Sequence, residues 1–388
     1  MMPALFRHGF RPFFLLAGAW ALFAMLAWIA ALHGAPLPEG PLPPLRWHAH
    51  EMIAGFIGAA MGGFLLTAVP NWTGRPGYGG VPVMLVAGLF VLARLVLLPG
   101  SPVPPDAAAL LALLPIPALL LMVLPAVVAA RTPRLFGPPA LILLFWAGDL
   151  LMLGDAAGWF TESWAAGQLL ALDVALALVG LIGGRILPAF TLNALRKAGR
   201  PVELRPLPGA DRAGILALLL VVAVDQVAPG GMLAGGVAAV AALLAALRLS
   251  RWHGWRSFHA PLLWVLHLAY ALVPVALGVK AAHLLTGASW AAAWLHLQGA
   301  GAVSLMILAV MTRATLGHTG RALVAAPMVT AAYLLLFAAG LVRAFGPALL
   351  PADGALALAG LLWVLAFAGF LVVFVPMLAS PRPDGKPG

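Results

Sequence analysis

An all-α integral membrane fold, a twelve-transmembrane-helix bundle with both termini cytoplasmic, is predicted by three observations. First, 63% of the 388 residues are hydrophobic and only 9% are charged, with a mean hydropathy of +1.04. A soluble globular chain usually carries about 25% charged residues. Second, apolar runs of about 20 residues, the length a bilayer core demands, recur along nearly the whole chain. Third, Lys and Arg collect on one side of the alternation those runs create. The length would allow two or three soluble domains, but a polytopic chain of this size forms one bundle. Residues 1–388 therefore read as a single polytopic membrane domain.

The spans are placed near 13–32, 48–69, 81–98, 107–130, 136–154, 166–187, 213–228, 231–247, 260–283, 292–312, 322–344 and 354–378. Each must be helical, because lipid offers the backbone no hydrogen-bonding partner. The first follows Arg7 and Arg11 and exceeds the roughly 7–15 apolar residues of a signal peptide, so it reads as a retained helix. GAPLPEGPLPP, PGSPVPPD and RTPRLFGPP are connectors. Pro115, Pro117 and Pro125 are expected to kink the fourth span, and Pro274 the ninth. The longest polar loop, near 188–212, is too short for a soluble catalytic domain. No internal repeat is legible.

Orientation follows from the excess of Lys and Arg in cytoplasmic segments. Of 22 such residues, the outer side keeps only Arg46, Arg94, Lys280 and Arg343. The net charge of +10 is therefore a topology signal, and the expected partner is the lipid bilayer, with no nucleic acid. Zero cysteines exclude disulfides, thiolate metal sites and cysteine nucleophiles. Any metal must rest on His, Met or carboxylate. Phosphate-loop, HExxH and CxxCH motifs are absent, which argues against ATP-driven transport by this chain alone and against covalent haem attachment.

Ionisable groups inside spans are costly and usually face a bundle interior or a cavity. In WHAHEM, His48 and His50 point about 200° apart on a regular helix, so their two rings cannot chelate one ion; His48 and Glu51 share a face. His296 lies about one turn into the tenth span, at the depth of His48 and His50. Two helices bringing imidazoles to one level is what axial haem ligation or a His-rich copper site needs. Arg46 and Arg94 are candidates for haem propionates, against plain snorkelling to headgroups. His259 and His267 are about 12 Å apart along a helix; with His318 of GHTGR they are candidates for a second, inner metal site. The bland alternative is that GHTGR caps its helix. Asp149 and Asp173 suit either a proton path or a helix–helix hydrogen bond.

GFRPFF (9–14), WHAHEM (47–52), GFLLTAVPNWTG (63–74), GRILPAFTLN (184–193), PLLWVLHLAY (261–270) and MTRATLGHTGR (311–321) together resemble the NnrS family. They run from the first helix to the eleventh; the seventh, eighth and twelfth spans carry no matching string. The resemblance implies a multi-pass protein of the bacterial inner membrane that contains haem and copper. It also implies a role in tolerating nitric oxide and nitrosative stress, often beside denitrification. The matching strings contain His48, His50, His267 and His318, while His296 enters by depth. With no CxxCH, the haem is expected to be b-type and non-covalent. The ligand expected is NO or a nitrosylated metal; no electron donor is indicated and enzymatic turnover is not implied. The alternative is a transporter or exporter of a metal, haem or small nitrogen compound, which predicts a colourless protein. A scaffold or sensor is disfavoured by the short cytoplasmic segments.

Overall fold

A chain that must satisfy its backbone inside lipid has helices available to it. The computed structural model describes residues 3–200, 203 and 207–386, and among these it contains helices and no strand. Twelve long helices follow in order: α1 (Phe10–Leu32), α2 (Pro44–Thr73), α3 (Val81–Val96), α4 (Pro105–Ala129), α5 (Gly137–Ala156), α6 (Trp164–Lys197), α7 (Pro208–Val227), α8 (Met232–Ser250), α9 (Pro261–Thr286), α10 (Ser289–His318), α11 (Pro327–Phe345) and α12 (Ala352–Ala379). Ten of them are long and apolar enough to cross a bilayer. The other two are α3, with 16 residues, and α7, whose 20 residues include Asp211, Arg212 and Asp225. Ten such helices make a multi-pass membrane protein. Leu121, Val240 and Leu243 are exposed along them, as a face in contact with lipid chains requires.

Local chemistry moves some of the expected boundaries. α4 is broken rather than kinked: its first piece stops at Ala112 and its second starts at Pro115, whose ring clashes with the preceding turn. α6 runs on past Pro188 to Lys197, a total of 34 residues. Arg196 and Lys197 occupy its last turn, where the helix dipole favours cations. The loop expected from 188 therefore begins only after Lys197, and its residues 201, 202 and 204–206 lie outside the described residues.

Two spans depart from α-helical geometry in the same way. In α2, Glu51–Ile57 forms a π-helix, and in α10 Leu297–Val303 does so. Such segments are rare and cluster at functional sites. Superposing the two π segments in sequence exposes a repeat that the residues alone hid. His50 falls on His296, Gly55 on Gly301, and Thr73-Gly74-Arg75 on Thr319-Gly320-Arg321. In the same register Val81, which starts α3, falls on Pro327, which starts α11. The spans close alike too. Gly74 and Gly320 have φ of 66° and 70°, and the following Arg75 and Arg321 N–H groups donate to the carbonyls of Pro70 and Leu316. This is the Schellman closure, which needs a left-handed residue and so favours glycine.

The chain divides into two compact units. The first holds the residues up to Ala171 with Ala314–Ala322 and everything from Phe367. Its core packs Leu42 and Trp47 against Ala93, Leu97, Ala108, Ala112 and Leu153. The second holds Leu172–Arg313 and Leu323–Ala366. There Ala234, Ala238, Ala241 and Ala245 form a buried stripe on α8, the small-residue face that lets membrane helices approach closely.

Candidate functional site

In the first unit, the sequence WHAHEM turns from α-helix to π-helix between His50 and Glu51. His48 and His50 do point to different partners. The His48 ring stacks on Trp28 at 4.5 Å and 12°. His50 is fully buried, with Nδ1 2.8 Å from Glu51 Oε1 and Nε2 2.7 Å from Asp149 Oδ1. Side chains of adjacent residues do not face each other on an α-helix, so the His50–Glu51 pair, rather than the expected His48–Glu51 face, accompanies the π turn. Arg94 Nη1 donates to both Glu51 oxygens at 2.8 Å, and Trp20 Nε1 donates to Oε2 at 2.6 Å. With both carboxylates ionised, both ring nitrogens donate, and two acids, one guanidinium and one imidazolium balance to zero. Burial of that many charges is tolerable only when every one is paired. Asp149 is thus a helix–helix hydrogen-bond partner. Arg46 is likewise engaged: its Nη1 lies 2.7 Å from Asp155 Oδ1 and its guanidinium covers the Trp164 ring at 4.7 Å.

In the second unit, His267 is buried on α9. Thr191 gives its hydroxyl proton to the Leu187 carbonyl at 2.8 Å, and the same oxygen lies 2.8 Å from His267 Nε2. A hydroxyl has one proton to give, so Nε2–H is the donor and Nδ1 carries the lone pair. That Nδ1 is buried and has no hydrogen-bond partner. It faces Gly254, where a Cβ would sit only 2.5 Å away. His253, the neighbour of Gly254, also has a buried Nδ1 without a partner. These two unused imidazole nitrogens, one on α9 and one in the loop beside Gly254, are the strongest candidates for metal ligands, although among the described residues no three His, Asp or Glu form a group that could hold a metal ion. His259, named with His267 by spacing, is exposed instead. His318 belongs to the first unit, where its ring lies 5.6 Å from Phe10.

His296, also in the second unit, accepts a hydrogen bond at Nε2 from Arg343 Nη2 at 3.0 Å. Among the described residues no carboxylate forms an ion pair with Arg343. In the same unit, Lys280 pairs with Asp225 and lies 3.8 Å from Asp173; Gln298 donates to Asp173 at 2.8 Å. Lys280 Nζ also covers the Trp294 ring at 4.6 Å. Lys280 had looked like an outer topology marker. Its position well inside an apolar helix was the signal that it needed buried acids, and Asp173 and Asp225 were the acids in spans waiting for a cation. His253 was passed over because a lone histidine in a loop gives no periodic signal. Arg343 was passed over because one arginine at a helix end is ordinarily a headgroup contact.

The comparisons agree with the strings in the sequence. The family model described as NnrS protein matches residues 4–382, nearly the whole chain. Among curated proteins none matches. The chain belongs to the NnrS family, and this membership links it to the response to nitric oxide.

Proposed function

In this member of the NnrS family we propose a haem- and copper-containing protein of the bacterial inner membrane that binds NO or acts on NO-derived metal adducts. Twelve spans with both termini cytoplasmic suit this reading, α3 and α7 completing the ten longer helices. The observation that carries it is the buried, unused Nδ1 lone pair of His267, held in that tautomer by Thr191. A metal-bound imidazole usually donates its other nitrogen to an outer partner in this way. His267, with His253, would hold copper, an ion for which imidazole is a suitable ligand.

For haem the residues divide. As placed, His50 fits poorly as an axial ligand, since both of its nitrogens are held by carboxylates; Arg94 and Arg46 are likewise already engaged by acids. His296 and Arg343 fit better: one imidazole, and beside it a cation suited to a propionate. His267 and His296 are separated by most of α9, roughly 25 Å at 1.5 Å per residue. That separation favours two distinct centres over a shared one. When bound, such metals supply a site for NO and a route for one electron. The chain's part is to fix the ring of His267 through Thr191, to keep water from it by burial, and to hold Arg343 against His296.

The test is an optical spectrum of detergent-purified protein, oxidised, reduced and with NO, with iron and copper counted on the same sample. His267→Gln is expected to lose copper and keep iron, His296→Gln to lose the Soret band, and His50→Gln to keep both metals. A colourless, metal-poor protein from haem- and copper-sufficient cells overturns the reading. It would turn attention to transport, for which the buried Lys280, Asp173 and Asp225 are the groups of interest.

A further inference from the structure

Three of the family's strings meet at a place that the metal reading does not use. GFRPFF starts α1, PNWTG closes α2 and GHTGR closes α10. In the first unit, His8, Asn71, Arg75, His318 and Arg382 line a cavity of about 160 Å³ whose remaining wall includes Phe10 and Leu66. Two arginines and two histidines face it, and its lining contains no carboxylate. Asp384 holds Arg382 with 2.8 Å and 2.6 Å hydrogen bonds, while Arg382 Nη1 donates to the His318 carbonyl at 2.9 Å. The cation is therefore fixed in place over the turn at Gly320.

Apart from Asp384, which pairs with Arg382, the charged groups around the cavity are cations. Arg11 is buried beside the cavity, and its Nη1 donates to the Leu378 and Ser380 carbonyls at 2.8 Å and 2.7 Å. His8 is held below its ordinary value, first by burial and then by Arg11, His318 and Arg382. The repeat explains part of this concentration. Both Thr-Gly-Arg turns, one from each repeated span, lie in this unit, and they bring Arg75 and Arg321 here. Gly77 completes the wall: a Cβ there would stand 2.8 Å from His8 Nδ1.

We propose that this cavity binds a phosphate group, carried either by a free phosphate anion or by an anionic phospholipid head. Arginine is the side chain best matched to phosphate oxygens, and basic pockets between membrane helices on the cytoplasmic side are known to take lipid headgroups. The volume, about 160 Å³, is well below the roughly 300–1,000 Å³ of sites for larger ligands and suits a single phosphate group.

The full chain in a neutral detergent, and in nanodiscs of phosphatidylcholine with or without phosphatidylglycerol, provides the test. Tm is measured against inorganic phosphate at constant ionic strength and against phosphatidylglycerol content, for the wild type, Arg75→Gln and Arg75→Gln/His318→Gln. Stabilisation by phosphate identifies the free anion, and stabilisation by phosphatidylglycerol alone identifies the lipid head. Arg75→Gln is expected to weaken the response about tenfold, and the double variant to abolish it. Arg256→Gln, at an exposed arginine of the second unit, should respond as the wild type does. The proposal is overturned if neither phosphate source raises Tm, or if the double variant responds like the wild type. Metal content plays no part in either outcome, so this result and the metal reading stand or fall separately.

Discussion

His50 and His296 occupy the same place in two repeated spans, each just before a π segment, yet their surroundings are opposites. His50 lies between two carboxylates with an arginine closing the cluster, and every charge is answered within the unit. His296 meets one arginine and, among the described residues, no acid pairs with that arginine. One copy of the repeat has closed its histidine into a buried ionic lock, and the other has kept an imidazole and a cation for something else. A shared backbone frame thus does not carry a shared chemistry; the partners contributed by neighbouring helices decide it.

The largest effect should come from opening the lock. Asp149→Ala leaves His50 and Arg94 facing one acid in a buried site, a loss of about 3–5 kcal/mol, whereas Arg343→Met removes one hydrogen bond at a half-buried site, about 1 kcal/mol. Thermal unfolding in detergent measures both. Equal losses would break the contrast between the two histidines.

Next in size is the outer support of His267. Thr191→Val removes the acceptor that fixes its tautomer, and copper affinity should drop about 10–100-fold in a chelator competition, with stability little changed. The corresponding prediction for the first unit is that Trp20→Phe, which takes one donor from Glu51, leaves metal content untouched.

The repeat itself is sharpened by a matched pair. Gly74→Ala and Gly320→Ala each force a side chain into the left-handed region and should cost about 1 kcal/mol, with a further loss at Gly320, where a Cβ would stand 2.9 Å from both Arg382 and Asp384. Tm measures both, and a Gly74→Ala loss as large as that of Gly320→Ala would show that the Arg382–Asp384 pair gives way freely.

The smallest effect is a pH dependence at His8. Its pKa in the folded chain is below the ordinary 6.5, so the unfolded state binds the proton more readily. Stability from this group is fully present above about pH 6.5 and is lost as pH falls below that value. Tm should decline slightly between pH 7.5 and 5.5, less so in phosphate, and His8→Gln should flatten that part of the curve.

Much of this molecule was readable before any fold was known. Apolar runs pointed to helices throughout because lipid leaves no alternative, and ten of these helices are long and apolar enough to span it; the strings around His48, His267 and His318 pointed to the family. What escaped was pairing across helices. Spacing along α2 separated His48 from His50 correctly, but no one-dimensional pattern says that Asp149, on another helix, reaches His50 Nε2. The π turn was also invisible, because a single extra residue in an apolar run leaves hydropathy unchanged, and with it the repeat was lost. Arg46 and Arg94 read as outer-face cations for the same reason: charge near a helix end looks identical whether it meets a headgroup or a buried acid.

The two π segments also share a position relative to a histidine. A π segment is a helix that has taken in an extra residue, with a cost in hydrogen-bond geometry that a span does not retain by chance. Here the extra turn stands at one register in both repeated spans, directly after a histidine in each. The ionic lock around His50 and the open pair at His296 are thus two chemistries built on one irregularity of the backbone.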